Sequence, residues 1–213
     1  MVFINTPSGP KSARKARGPL QVIDGGRADG PDLSPGREAD KALAARIAAG
    51  DEHALRGLYE RHAGPLTGFV SHWLGDPNDA SDIVHETFID VWRKAGRFEG
   101  RASLKSWIYT IARNKAVDRN RKAARTLYVD ETPEIVDASD TATDLLEALD
   151  DAAAVRRAME TLKPAHRAVI HLAFFEDLTY KEIAAIEDCP VGTVKTRVLH
   201  AKRLLLHALS EYR

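Results

Sequence analysis

The chain has 213 residues, 44% of them hydrophobic, enough for one domain or for two small ones that each bury a modest core. Thirty-one basic residues balance 31 acidic ones, so total charge identifies no partner and only its distribution along the chain is informative. The single cysteine, Cys189, excludes an internal disulfide framework and any cysteine zinc cluster; no apolar run approaches the ~20 residues that span a bilayer, so a cytoplasmic protein without membrane insertion is expected.

Residues 1–37 are rich in Pro, Gly, Ser and charge, carry the basic patch Lys11, Arg14, Lys15 and Arg17, and read as a disordered N-terminal tail. From Asp40 onward Ala and Leu recur at helical spacing. Gly50-Asp51 and Gly75-Asp76-Pro77 break residues 38–125 into three or four helices. Between Asp79 and Lys94 two stripes run side by side. Ala80, Val84, Phe88 and Val91 form a core face, and Asp79, Asp82, Glu86 and Asp90 form an anionic face. Taken alone, such an anionic face is most simply a solvated one.

Gly96-Arg-Phe-Glu-Gly-Arg-Ala-Ser reads as a loop, followed by a helix anchored by Leu104, Trp107, Ile108 and Ile111. Beyond Ala112 the apolar stripe gives way to Arg, Lys and Asn, which suits a helix end lying along a phosphate backbone. From Arg93 to Arg125 eleven basic residues face only Glu99 and Asp118, and from Thr126 to Val155 nine acidic residues occur with no Lys or Arg. Residues 126–153 therefore read as an acidic, self-repelling linker that merges into the next helix, with periodicity resuming near Leu145.

Residues 154–213 form the second helical unit. Thr179-Tyr-Lys-Glu182 fits a capping box that starts a short helix with Ile183 and Ile186 on its apolar side; Asp188-Cys189-Pro190 ends it. On the following helix Val194, Val198, Ala201, Leu205 and Ala208 make a packing seam. Thr196, Leu199, His200 and Arg203 lie opposite, flanked by Lys195, Lys202 and Arg197, a cationic front suited to a major groove. Gly192 and Thr193 at the helix start offer backbone amides to a phosphate. By periodicity alone, a helical hairpin with a solvated basic face fits equally well. Cys189 reads as a small packing residue, since the chain offers no resolving cysteine. No segment alternates as a strand does, so the expected fold is all-α: two small helical domains joined by a flexible linker.

Leu178-Thr-Tyr-Lys-Glu-Ile-Ala-Ala-Ile followed by Cys189-Pro-Val-Gly-Thr-Val-Lys-Thr-Arg closely resembles domain four of the extracytoplasmic-function sigma factors of the sigma-70 family, which reads the minus-thirty-five promoter element. The resemblance implies that Lys195, Thr196, Arg197 and His200 lie on base edges or adjacent phosphates, with Arg203 further along the backbone. His200 stands where the family often has arginine. Asp79-Ala-Ser-Asp-Ile-Val-His-Glu-Thr-Phe-Ile-Asp-Val-Trp-Arg resembles the family's polymerase-docking helix, which implies contacts from Asp79, Asp82, His85, Glu86 and Asp90 to basic clamp helices of core RNA polymerase. Glutamine is usual at the position of His85.

The loop before Leu104 and the helix after it are similar to the minus-ten region. Phe98 to Ser103 and Asn114 are thereby expected to form a pocket for an unstacked base, with Lys115, Asp118, Arg119 and Arg121 lining the melted strand. Trp107 is expected in the core, and Tyr109 is a candidate stacking platform. The resemblance covers Ala39 to Arg125 and Val155 to Leu209. It implies a signal- or stress-responsive sigma factor that binds core RNA polymerase and promoter DNA, opens the promoter for transcription initiation and is held by a cognate anti-sigma factor. No catalysis, metal or cofactor is expected, because the eight histidines are scattered without ligand spacing and no Gly-rich phosphate loop occurs. The alternative, a helix-turn-helix repressor or activator acting without polymerase, leaves the acidic helix and the loop before Leu104 unexplained.

Overall fold

The computed structural model describes residues 35–74, 77–124 and 152–210. Most of the expected tail, most of the expected linker and the periodicity near Leu145 lie outside the described residues. Within them the chain is helical without a strand: α1 (Pro35–Ala48), α2 (Glu52–Val70), α3 (Pro77–Lys94), a 3-10 turn (Ala95–Arg97), α4 (Leu104–Ala124), α5 (Ala152–Glu160), α6 (Pro164–Ile170) continuing into a π turn (His171–Phe175), α7 (Tyr180–Glu187) and α8 (Val191–Ser210).

The breaks follow from local chemistry. Gly50 takes a left-handed φ of 91°, and Asp51 then caps α2 by accepting the Ala54 amide at 2.9 Å. That amide bond and the Arg46 guanidinium hold the Asp51 carboxyl below its ordinary value. Leu104, the first residue of α4, donates its amide to Asp40 of α1 at 2.7 Å, while the Ser103 hydroxyl accepts the Ser106 amide at 3.1 Å, so two side chains satisfy the start of α4. Gly100, in the loop before α4, packs against the Lys41 side chain and has φ 71°, a left-handed conformation that favours glycine.

The first four helices close around Leu58, Leu66, Phe69, Ile83, Val84, Phe88, Val91, Leu104 and Ile108, all buried. The core stripe read from α3 is buried throughout. Trp107 is half-buried and packed on the core; Tyr109 is fully buried, so it is a core residue and not a stacking platform. In the second unit α8 is the spine, with Val194, Val198, Ala201, Leu205 and Ala208 buried against α5, α6 and α7. Thr179 and Glu182 form the reciprocal capping box, and the helix-turn-helix bend passes through Asp188 at φ 49°, a conformation aspartate tolerates better than most side chains.

The two units also pack against each other, chiefly through α4 and α7, a contact that no periodicity announces.

Candidate polymerase and nucleic-acid interfaces

On α3 the acidic stripe is split by its partners on α4. Asp82 is exposed, as is His85, whose Nε2 lies 3.0 Å from the Tyr59 hydroxyl. Arg119 bridges Asp79 at 2.7 Å and Glu86 at 3.2 Å, and Lys115 bridges Glu86 at 3.4 Å and Asp90 at 3.2 Å. Burial alone would raise Asp90, but hydrogen bonds from Lys94 and Lys115 outweigh it and hold the carboxyl below its usual value. Ile89 was not singled out by sequence, yet it is 49% exposed on the same helix face as Asp82, His85 and Glu86. Its signal was an apolar residue off the core stripe. An apolar anchor ringed by charge is the usual anatomy of a docking surface.

The minus-ten candidates fall into three groups. Asn114, Asp118 and Arg121, spaced four and three apart, are exposed on one face of α4, with Arg121 3.6 Å from Asp118. Lys115 and Arg119 occupy the adjoining face and are turned toward α3. In the loop, Phe98 is half-buried with its ring 5.4 Å from that of Trp107, and Ser103 donates its hydroxyl proton to Glu182 of α7 at 2.9 Å. The loop thus leads into the start of α4 while Asn114 lies mid-helix, ten residues beyond Leu104, and Ser103 is already engaged by the second unit.

On α8, Gly192, Lys195 and Thr196 are exposed. A Cβ at Gly192 would meet nothing within 4 Å, so the chain's own packing does not demand glycine there. The Thr193 amide is taken by the Pro190 carbonyl at 2.9 Å, while the Thr196 hydroxyl donates to the Gly192 and Thr193 carbonyls at 3.0 Å. Arg197 is half-buried and leans back to within 4.0 Å of the Cys189 sulfur. His200 stacks on His166 with ring centroids 5.0 Å apart, and Arg203 is half-buried. Burial pushes the Cys189 thiol up, which favours the neutral packing form over a reactive thiolate.

Sequence reasoning also missed the polar residues between the units. His72 and His171, scattered in sequence, meet with nitrogens 3.2 Å apart; burial pushes His72 down to about 3 and lowers His171 as well. Lys105 reaches buried Glu176 at 2.6 Å. Among the described residues no cluster of three or more His, Cys, Asp or Glu is placed to hold a metal, and no helix is long and apolar enough to cross a membrane.

Residues 58–126 match the family model for sigma-70 region 2 and residues 152–205 the one for sigma-70 region 4. The chain is 34% identical over 169 residues to the ECF RNA polymerase sigma factor RpoE of Cereibacter sphaeroides, covering 76% of this chain and 87% of that one. It is 31% identical to the ECF RNA polymerase sigma factor SigK of Mycobacterium tuberculosis, covering 79% and 92%. Among solved structures it resembles CnrH in complex with the cytosolic domain of CnrY (TM-score 0.57, 27% identity, 82% of this chain and 98% of that one). It also resembles RpoE in complex with the anti-sigma factor NepR from Bartonella quintana (TM-score 0.56, 27% identity, 74% and 98%). With two region matches in order on an all-helical chain and that identity across most of its length, the chain belongs to the extracytoplasmic-function sigma factors of the sigma-70 family.

Proposed function

We infer that this chain binds core RNA polymerase, directs it to specific promoters and assists strand opening at transcription initiation. The observation that carries the reading is the order of its parts: a region 2 unit holding an acidic helix beside a basic one, followed by a region 4 unit holding a capped helix-turn-helix. The polymerase performs the chemistry, and this chain supplies position. It acts in the cell interior, where polymerase and promoter are.

At residue level, α3 docks on a basic polymerase surface through Asp79, Asp82, His85, Glu86 and Asp90, with Ile89 as apolar anchor. Phe98, Ser103 and Asn114 receive an unstacked base of the minus-ten strand, whose path follows Lys115, Asp118, Arg119 and Arg121. Gly192 and Thr193 approach a phosphate; Lys195, Thr196, Arg197, His200 and Arg203 read the minus-thirty-five duplex. The solved relatives in complex with CnrY and with the anti-sigma factor NepR support a cognate anti-sigma partner for this chain. A repressor working through α7 and α8 alone would leave the region 2 match without a role.

The test is reconstitution. Purified chain added to bacterial core polymerase should yield discrete run-off transcripts from genomic fragments, absent without the chain. Polymerase binding with no promoter-dependent product would reject the initiation role.

A further inference from the structure

On the front of α8 several side chains have their hydrogen-bonding capacity committed within the chain. The Thr196 hydroxyl gives its proton to the Gly192 and Thr193 carbonyls, at 3.0 Å each, so toward DNA it offers a methyl group and an accepting oxygen. Arg197 is half-buried and leans back to within 4.0 Å of the Cys189 sulfur, toward the bend of the helix-turn-helix. Lys195 is exposed, a point charge on a flexible stem. His200 lies one turn beyond Thr196 on the same face and is half-buried.

What distinguishes His200 is that it is held. Its ring lies 13° from parallel with that of His166, at a centroid separation of 5.0 Å, within the range of offset-stacked rings. His166 belongs to the first turn of α6, where its amide donates to the Lys163 carbonyl at 3.0 Å. That helix is anchored by buried Ala168, Val169 and Ile170 and packs along α8, so the platform is as rigid as the core beneath it. With one face of its ring covered, the His200 imidazole is fixed in one plane.

The base class follows from the chemistry of that ring. In the major groove both purines show an accepting N7; guanine adds an accepting O6 and adenine an N6 amino group. An arginine fork spans O6 and N7 together and so selects guanine. An imidazole presents one ring nitrogen at a time, because its second nitrogen lies on another edge of the ring. A single N–H meets N7 of either purine and has no second donor to demand O6.

We propose that His200, held in plane by His166, reads one position of the minus-thirty-five element as a purine, admitting adenine and guanine alike, with His166 as the positioning residue that fixes the preference. The proposal rests on the promoter-reading function inferred above and names the base class taken at that site. His166 acts through its partner: it stops the imidazole from swinging out of the plane in which the N–H meets N7.

The test uses the full-length chain with core polymerase on a promoter it transcribes, with the minus-thirty-five element randomised, each template barcoded downstream of the start and the run-off products sequenced. Wild type should take adenine and guanine within about twofold of each other at one position, both about tenfold above pyrimidines. His200→Ala should flatten that position alone, and His200→Arg should set guanine about tenfold above adenine there. His166→Ala should cut the purine preference to about twofold, and His166→Asn, a second variant without the stacking ring, should do the same; His166→Phe, which keeps a ring, should hold it near wild type. Circular dichroism of each variant reads folding separately. No change of base preference in His200→Ala, equal use of both purines in His200→Arg, or the same preference in folded His166→Ala or His166→Asn as in His166→Phe would each overturn the assignment. Failure of the wild-type chain to give any transcript rejects the functional reading and this assignment with it; transcripts whose base preferences ignore His166 and His200 reject the assignment alone.

Discussion

Glu187 ends α7 with 2% exposure, and burial pushes its carboxyl up to about 7 although Arg113 and Arg197 pull it down. An unfolded glutamate ionises near 4.5, so the unfolded state sheds its proton first as pH rises. The folded state is therefore penalised progressively from about pH 4.5 to 7 and by a constant amount above that. Glu187→Gln should gain on the order of 3 kcal/mol at pH 8 and nothing near pH 4, read by urea unfolding at both values. Equal effects at the two pH values would contradict the buried-acid assignment. His72 acts in the opposite sense: its lowered pKa makes the folded state lose stability as pH falls below about 6.5. Neither behaviour was legible in the sequence, where Glu187 looks like a solvated helix end and His72 lies 99 positions from the histidine it meets.

At the scale of elements the sequence was far more informative, because each helix carries one apolar seam whose spacing is dictated by its own geometry. The seams of α3 and α8 and the Thr179 capping box are found as their spacing predicts. What spacing leaves open is where long charged side chains swing. Lys115 and Arg119 lie within hydrogen-bond reach of the acids on α3, so the faces proposed for docking and for the melted strand share one ion network. These pairs are half-exposed and contribute at most about 1 kcal/mol to folding. Their larger consequence is for association. Arg119→Ala should unmask Asp79 and Glu86 and raise the rate of binding to core polymerase several-fold at low salt, with the difference shrinking as ionic strength rises. Stopped-flow binding across a salt series checks this, and an unchanged or slower rate would remove the acidic face from the docking surface.

For the whole molecule, sequence gave the number of helical units and their order but not their packing on each other. Periodicity reports a helix's first buried face; the second face of α4, where Arg113 reaches the Glu187 carbonyl at the end of α7, has no repeating apolar signal. The function proposed for this chain has two distinct surfaces reading two distant promoter elements. Footprinting on one promoter with core polymerase, using permanganate for melted thymines at minus ten and nuclease protection at minus thirty-five, tests it most directly. Wild type should show both signals; Asn114→Ala should lose reactivity at minus ten and keep upstream protection, and Lys195→Ala should weaken upstream protection first. Equal loss of both signals in both variants would contradict the division of labour between α4 and α8.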